Sequence, residues 1–554
     1  MTADIIILNG TVLTMVADHP RAEAVALRGT EILKIGTAAE VKALAGPSTR
    51  IVDAKGGTVM PGFIEAHMHL FSGAAELQNL NLEGVSGFDN LKAAVLAYAK
   101  ARPGSQLIIG NQADYTILSK SEALTRHHLD RILDDRPILL FSPDHHTAWA
   151  NTIALTQAGI LNGKAVGAGN EVVMEEGGVA SGELREGEAI EPVAKLSNAA
   201  GRSKLGLATG GEPEIYPGTE DFEKDLAIMR LGLAHCVRHG ITSIHNMDGN
   251  LYTLELLSEL ERRGELLARV YVPFHFKNFM SINALERAST MAKAYNGEKL
   301  KSGFVKVFMD GVLDSWTAVM LDDYADRKGW RGEPLFSADH FKQIAVEADR
   351  RGLQIAVHAI GDGAVRMVLE GYEQAARVNG KRDSRHRVEH IEVVHADDIP
   401  RFAGLGVLAS MQPPHPPGNH GLPLEPTVSR IGEAKWPLAY AWNSLRAAGA
   451  HLVFATDWPV SDINPIRSVQ SAITRQKWRQ DLPDHSQTLH QALASYTHEG
   501  AYAEFAETRK GQLREGFLAD VVILSADLEK TEPKNLHTVH PIMTICDGQV
   551  TYTA

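Results

Sequence analysis

The hydrophobic rhythm of the chain changes twice. Its first sixty residues carry short apolar or alternating runs, DIIILNGTVLTM, AEAVALRGTEILKIG and TRIVDAKGGTVMPG, cut by Asn-Gly, Arg-Gly and Gly-Gly pairs. Such runs between turn formers predict strands. The C-terminus repeats the pattern in GQLREGFLADVVILSADL and VHPIMTICDGQVTYTA. Domain termini tend to lie close together. Segments 1–60 and 505–554 are therefore expected to form one small composite β-sandwich, interrupted by everything between.

In the middle, strand-like and helix-like patterns alternate. HGITSIHNMD (239–248) follows a helix-like EKDLAIMRLGLAHCVR, and SGFVKVFMDG (302–311) reads as a strand. A helix-like FKQIAVEADRRG leads into LQIAVHAIGDG (353–363). RHRVEHIEVV (385–394), GVLASMQPP (406–414) and HLVFATDWPV (451–460) are further strands, with helical spacers between most of them. Repeated β–α units predict a parallel sheet, and this many predict an α/β fold of the (β/α)8 TIM-barrel type over 61–504. Catalytic groups then belong at the C-terminal ends of the strands. The stretch of about 70–230, with PILLFSPDHHTAWANTIAL and a Gly-rich NGKAVGAGNEVVMEEGGVASGEL, fits this rhythm less well and reads as a subdomain inserted after the first barrel strand.

Composition narrows the chemistry. At 554 residues the chain needs one large domain with additions, or several domains. An apolar content of 44% and a charged content of 22% match ordinary globular usage. A net charge of −13 argues against nucleic acid or an anionic membrane as partner. With only Cys236 and Cys546, neither a disulfide framework nor a zinc ribbon is possible, so any metal falls to histidine and carboxylate. The N-terminus enters a strand pattern directly, without a basic and apolar leader. No run approaches the about 18–20 apolar residues of a membrane span. A soluble cytoplasmic protein is expected, with a small-molecule substrate and at most a second copy of itself, as a homodimer, for partners.

PGFIEAHMHL places His67 and His69 at the end of an apolar run, behind the Pro61-Gly62 breaker. Alternate residues of a strand share a face, so the two imidazoles project side by side, a geometry that can chelate one cation. Lys306 in FVKVF, His358 in AVHAIGD, His390 in VEHIE and Asp457 in ATDWP sit in the same way within or just after apolar runs. Each needs a partner, because an unpaired buried polar group costs roughly 1–3 kcal/mol, and more if charged. Side chains ending successive β units of one barrel converge on one mouth. Imidazole with carboxylate suits Zn²⁺, with Fe, Ni or Mn as alternatives. A protonated Lys306 repels a cation; it can ligate only when deprotonated or converted by CO₂ to a carbamate. The competing reading for Lys306 is a salt bridge, with Asp310 as the partner at hand.

The motifs PGFIEAHMHL, PDHHTAWANTIAL, SGELRE, GITSIHN, VKVFMDG, VHAIGDGA, RVEHIEV, SMQPPH, TDWPV and KGQLREGFLADVVIL cover nearly the whole chain. Together they resemble the amidohydrolase superfamily, in its amidohydrolase-3 or YtcJ-like branch, which includes N-substituted formamide deformylases. The resemblance implies a distorted (β/α)8 barrel, a β-sandwich built from both termini, and one or two metal ions held by His67, His69, His358, His390 and Asp457. It also implies that Lys306, in the strand-four position, is carboxylated and bridges two metals. The implied reaction is hydrolysis of an amide-type C–N bond by metal-activated hydroxide, with Asp457 moving the proton.

Substrate contacts are expected from His145, His146 and Trp149 in DHHTAW, with Asn151 beside them, from Trp316 in DSWTA and from Gln412 in SMQPP. GNHGL (418–422) resembles a mobile loop. Rival readings are a cyclic-imine deaminase of the same superfamily, a phosphotriesterase or lactone hydrolase, and a non-catalytic regulator. Lys306 argues against the first, and the intact ligand set against the last.

Overall fold

The computed structural model describes residues 1–104, 106–167, 169–197, 212–213, 215–418 and 424–554. Eight parallel strands form its central sheet. In chain order they are β1 (Phe63–Met68), β2 (Ile241–Asn246), β3 (Arg269–His275), β4 (Leu300–Phe308), β5 (Gln354–Ala359), β6 (Arg387–His390), β7 (Leu408–Met411) and β8 (Leu452–Phe454). Each pairs with its neighbour in sequence, from β1 beside β2 to β7 beside β8. Nearly every strand residue is buried, which explains why these segments read as continuous apolar runs rather than as alternation. The ring closes at its C-terminal rim, where the Asp457 amide donates to the His67 carbonyl at 3.0 Å and the His69 amide to the Trp458 carbonyl at 2.8 Å. The result is a distorted (β/α)8 barrel.

Seven of these strands are legible in the sequence; β3, RVYVPFH, is the addition. Pro273 lies inside it and removes a ladder donor, and the pairing register with β4 shifts between Val272 and Phe274. Proline within a strand is tolerated at such an irregularity.

The chain ends build two further sheets. Ile5–Leu8, Ala24–Arg28, Glu31–Gly36 and Arg50–Asp53 form one. Thr11–Leu13, Arg21–Ala22, Thr58–Pro61, Val521–Leu524, Pro541–Cys546 and Gln549–Thr553 form the other. Ile7, Val25 and Leu27 of the first pack with Val59, Ile523 and Ile545 of the second in one apolar core. Arg269, at the base of β3, ties this unit to the barrel through Asp520 at 2.8 Å and Asp547 at 2.9 Å.

The segment after β1 contains a six-stranded mixed sheet from Leu80–Asn81 to Ala180–Arg185. One face is covered by Leu91, Val95 and Trp149, the other by Ala150, Leu155 and Val193. The following helix Thr219–Arg238 returns to the barrel layer. A Cβ on Gly232 would lie 2.6 Å from that of Ala74, so glycine allows this helix to lie close against Leu70–Glu76. Among the described residues, no helix is long and apolar enough to cross a membrane.

Candidate metal centre

His67, Lys306, His358, His390 and Asp457 all reach the C-terminal mouth of the barrel, from β1, β4, β5, β6 and the segment after β8. His69 follows β1 and opens the short helix Leu70–Glu76. His390 and Asp457 hold φ of 78° and 60°, in the sparsely populated left-handed region. Such strain costs on the order of 1–3 kcal/mol per residue and persists where the surroundings over-determine it. One ligand atom from each of His67, His69 and Asp457 lies within 4.8 Å of the others, and the same holds for His390, His415 and Asp457. The His358 ring centroid is 4.5 Å from that of His390.

The outer partners fix which nitrogen faces the centre. His67 donates its Nδ1–H to Glu389 at 2.6 Å, and His69 donates its own to Asp248 at 2.6 Å. His390 donates Nδ1–H to the Gln412 side-chain oxygen at 2.9 Å, and His358 donates Nε2–H to the Gly311 carbonyl at 3.0 Å. The inward nitrogens are therefore Nε2 of His67, His69 and His390, and Nδ1 of His358. Burial holds His67, His358 and His390 well below the ordinary imidazole pKa, so they are neutral with inward lone pairs. His69 differs: burial acts to lower it, but Asp248 and Asp457 outweigh this and push it up to about 10. Its Nε2 lies 3.3 Å from Asp457 Oδ1, so its proton stands where a cation would. Burial raises Asp457, while the facing His67 and His69 hold it below the usual carboxylate range.

Several buried polar atoms here have no hydrogen-bond partner: His67 Nε2, Lys306 Nζ, His415 Nε2 and Asp457 Oδ1. Leaving such atoms unpaired is costly. A carboxylate and neutral imidazoles, each anchored from behind, make the donor set that Zn²⁺ and similar cations take. The residues present fit a metal ion.

Behind His67, Arg387 is fully buried, and each of its three guanidinium nitrogens has a partner. It contacts Glu389 at 2.7 and 3.1 Å, the Ala66 carbonyl at 2.6 Å, Ser410 at 3.1 Å and His245 Nδ1 at 3.0 Å. Glu389 is thus locked as an acceptor for His67. Glu389→Gln is expected to weaken metal binding about 10–100-fold, read by competition with a chromogenic chelator. Unchanged affinity would show that His67 needs no such orientation.

A cavity of about 670 Å³ opens above the centre; His69, His145, His146, His358, His390 and Asp457 are in its wall. His146 donates Nδ1–H to Glu186 at 2.7 Å. Burial acts to lower its pKa, but the Glu186 charge and hydrogen bond prevail and push it up to about 9.

Three expected substrate contacts lie elsewhere. Trp149 is 2% exposed and packs edge-on against Tyr115 at 5.5 Å, inside the insertion core. Trp316 turns its ring to the Arg430 guanidinium, 3.6 Å away, and its indole N–H to Asp326. Gln412 sits behind His390 and orients it instead of reaching the cavity. None of the three is among the described residues lining that cavity. Asn151 caps the helix Thr152–Gln157. The salt bridge between Lys306 and Asp310 does not form. Asp310 accepts three backbone N–H bonds, from Val319, Ile360 and Gly361, while Lys306 Nζ lies 4.7 Å over the Phe308 ring. Of GNHGL, residues 419–423 and hence most of the motif lie outside the described residues.

Sequence reasoning missed His415, His275, Asp248 and Glu389. Two signals were available: His415 closes SMQPPH, and Glu389 immediately precedes His390.

The amidohydrolase family model matches residues 50–552. The putative amidohydrolase YtcJ of Bacillus subtilis is 26% identical over 98% of this chain and 98% of its own. The N-substituted formamide deformylase of Arthrobacter pascens is 25% identical over 99% of this chain and 98% of its own. A solved structure of an uncharacterized metal-dependent hydrolase from Pyrococcus horikoshii superimposes with a TM-score of 0.73, at 25% identity, over 96% of this chain and 99% of that one. With a family match running through both the terminal sheets and the barrel, the chain belongs to the amidohydrolase family.

Proposed function

We propose that this chain hydrolyses an amide-type C–N bond in a small N-acyl, N-formyl or carbamate-like molecule, using one or two divalent metal ions, with Zn²⁺ the first choice. The convergence of inward-facing histidine nitrogens on Asp457, each fixed from behind, carries this reading. The name of the Arthrobacter relative supports the C–N chemistry. His67, His69, His358, His390 and Asp457 would hold the metal, with His415 beside the second group. When bound, it supplies Lewis acidity to the carbonyl and lowers the pKa of water.

The chain's own residues do the rest. The cavity binds the substrate and sets its acyl carbon before Asp457. Asp457 takes a proton from the attacking water and returns it to the leaving nitrogen, which must be protonated to depart. His146 keeps Nδ1 on Glu186 and offers a cationic Nε2–H to the oxygen that gains charge.

Lys306 is the sixth ligand in this reading. Burial pushes its pKa down to about 8, which frees a fraction of neutral amine near neutral pH. The amine nitrogen bonds to the carbon of CO₂ and loses one proton, giving an anionic carbamate. Lys306→Ala should lose the second metal and most activity, and added short carboxylic acids should partly restore both. Full metal content in the unsupplemented variant excludes the bridging role.

The activity test is a panel of formamides, other N-acyl amines, carbamates, esters and cyclic imines, with amine release as the readout. Turnover of esters or cyclic imines alone would replace the amide reading.

A further inference from the structure

GITSIHN, the motif of β2, carries a histidine that the metal centre does not use. His245 is fully buried, one position before the end of β2, and belongs to neither group of candidate ligands. Its Nδ1 lies 3.0 Å from Arg387 Nη1. A guanidinium can only donate, so Nδ1 carries a lone pair. Burial pushes the pKa of the ring down to about 4, so the ring is neutral and its proton sits on Nε2. That nitrogen faces Glu504 Oε1 at 3.3 Å. Burial acts to raise the pKa of Glu504, but Lys301 at 2.7 Å and Lys510 at 2.5 Å hold it well below the usual carboxylate range. The tautomer of His245 is thus set from both sides.

Its neighbours hold the ring in place. Ser243, two residues earlier on the same face of β2, accepts from Lys510 at 2.7 Å. Lys301 lies 4.7 Å over the Tyr271 ring, and Tyr271 packs edge-on against His245 at 5.8 Å. The segment that carries Glu504 is tied to the first residue of β5, where Gln354 Nε2 donates to the Ala503 carbonyl at 2.8 Å. In the other direction the contacts run on to the metal centre. Among the described residues, His245 is the one hydrogen-bond partner of Arg387 Nη1, whereas Nε and Nη2 both reach Glu389. Glu389 Oε2 accepts from Arg387 Nη2 at 3.1 Å and from His67 Nδ1–H at 2.6 Å. A guanidinium is a rigid plane, so fixing its third nitrogen fixes the angle at which the other two meet Glu389.

We propose that His245 is a positioning residue of the metal site: it anchors Arg387, Arg387 anchors Glu389, and Glu389 aims Nε2 of His67. Without an acceptor at Nη1, one corner of a buried guanidinium is left unpaired. The plane then turns toward another acceptor, and its two-point hold on Glu389 is lost. The grip on the cation is thereby set in part from the barrel interior, beside the segment that leads into the C-terminal strands. A histidine that merely filled the core would instead make metal affinity follow stability. The proposal rests on the metal-ion reading of the centre and is independent of the substrate.

The test is Zn²⁺ affinity by competition with a chromogenic chelator, read beside the melting temperature of the metal-free protein, in three variants. His245→Asn places an oxygen where Nδ1 stood and keeps the acceptor for Arg387. His245→Gln places its amide where Nε2 stood and keeps only the Glu504 side. His245→Phe keeps the ring and neither contact. The Gln and Phe variants should bind Zn²⁺ about tenfold more weakly, the lower end of what groups behind a ligand contribute. His245→Asn should stay near wild type, whatever its melting temperature. In a Glu389→Gln background, His245→Gln should add little, because both act on His67 through one path. Affinities that follow melting temperature alone, equal losses in the Asn and Gln variants, or a full tenfold addition in the double variant overturn the proposal. The comparison of Asn with Gln decides the matter should His245→Phe fail to fold. Wild-type protein that binds no Zn²⁺ overturns the metal reading and this proposal together. Zn²⁺ held equally by wild type and all variants overturns this proposal alone.

Discussion

Asp457→Asn is expected to lower kcat by about 10²–10⁴-fold, the usual worth of a general acid–base group, with the fold intact and much of the metal retained. Asparagine keeps the shape of the side chain and one oxygen for the cation. It also tolerates the φ of 60° at this position about as well as aspartate does. The backbone bond from residue 457 to the His67 carbonyl, which helps close the barrel, is unaffected. What disappears is the group that takes a proton. Asp457 is suited to that role because the facing histidines keep it ionised against the effect of burial. The acidic limb of the pH–rate profile should move or vanish with it. A variant with near-wild-type kcat across pH would transfer the shuttle elsewhere, with His146 or Asp310 next in line. Burial pushes Asp310 up to about 7, and it also lines the cavity.

The sequence exposes features whose cause is local. The His67 and His69 pair is readable because an alternation that begins in the strand runs on to its end, although His69 itself lies one residue past β1 and opens the next helix. Lys306, His358 and Asp457 stand out as polar residues at the ends of apolar runs, which is how a barrel mouth appears in one dimension. Contacts made across the chain are hidden. Gln412 reaches His390 over twenty-two positions and Glu389 reaches His67 over 322, so neither role leaves a local mark. Trp149 and Trp316 show the limit for aromatics: the same ring serves a cavity wall or a packed core, and only the neighbours decide. Trp149 fell to the core because its strand, Thr147–Ala150, lies inside the insertion sheet, which is buried on both faces. That two-sided burial, with glycine-rich turns, also obscured the insertion itself. β3 was lost to one proline.

Stripping the metal is expected to abolish hydrolysis and to lower thermal stability together. The centre gathers His67 Nε2, Asp457 Oδ1 and Lys306 Nζ in the interior without hydrogen-bond partners. A cation at their focus satisfies the first two directly, and it favours the carbamate form of the third. Binding to the folded chain but not to the unfolded one stabilises by about 2.7 kcal/mol at a hundredfold excess over Kd, so the melting temperature should rise with added metal until the site is full. Hydrolysis should return over the same concentration range, because both signals report one occupancy. The order of events at low pH has a defined sign. His69 is raised to about 10 and carries a proton on the side that faces Asp457, so acid competes with the cation and weakens its binding. Metal content by elemental analysis, melting temperature and amide turnover, each followed through a chelator titration, should fall in parallel. Full turnover in rigorously metal-free protein would remove the metal from the reaction and leave the converging histidines as a structural cluster.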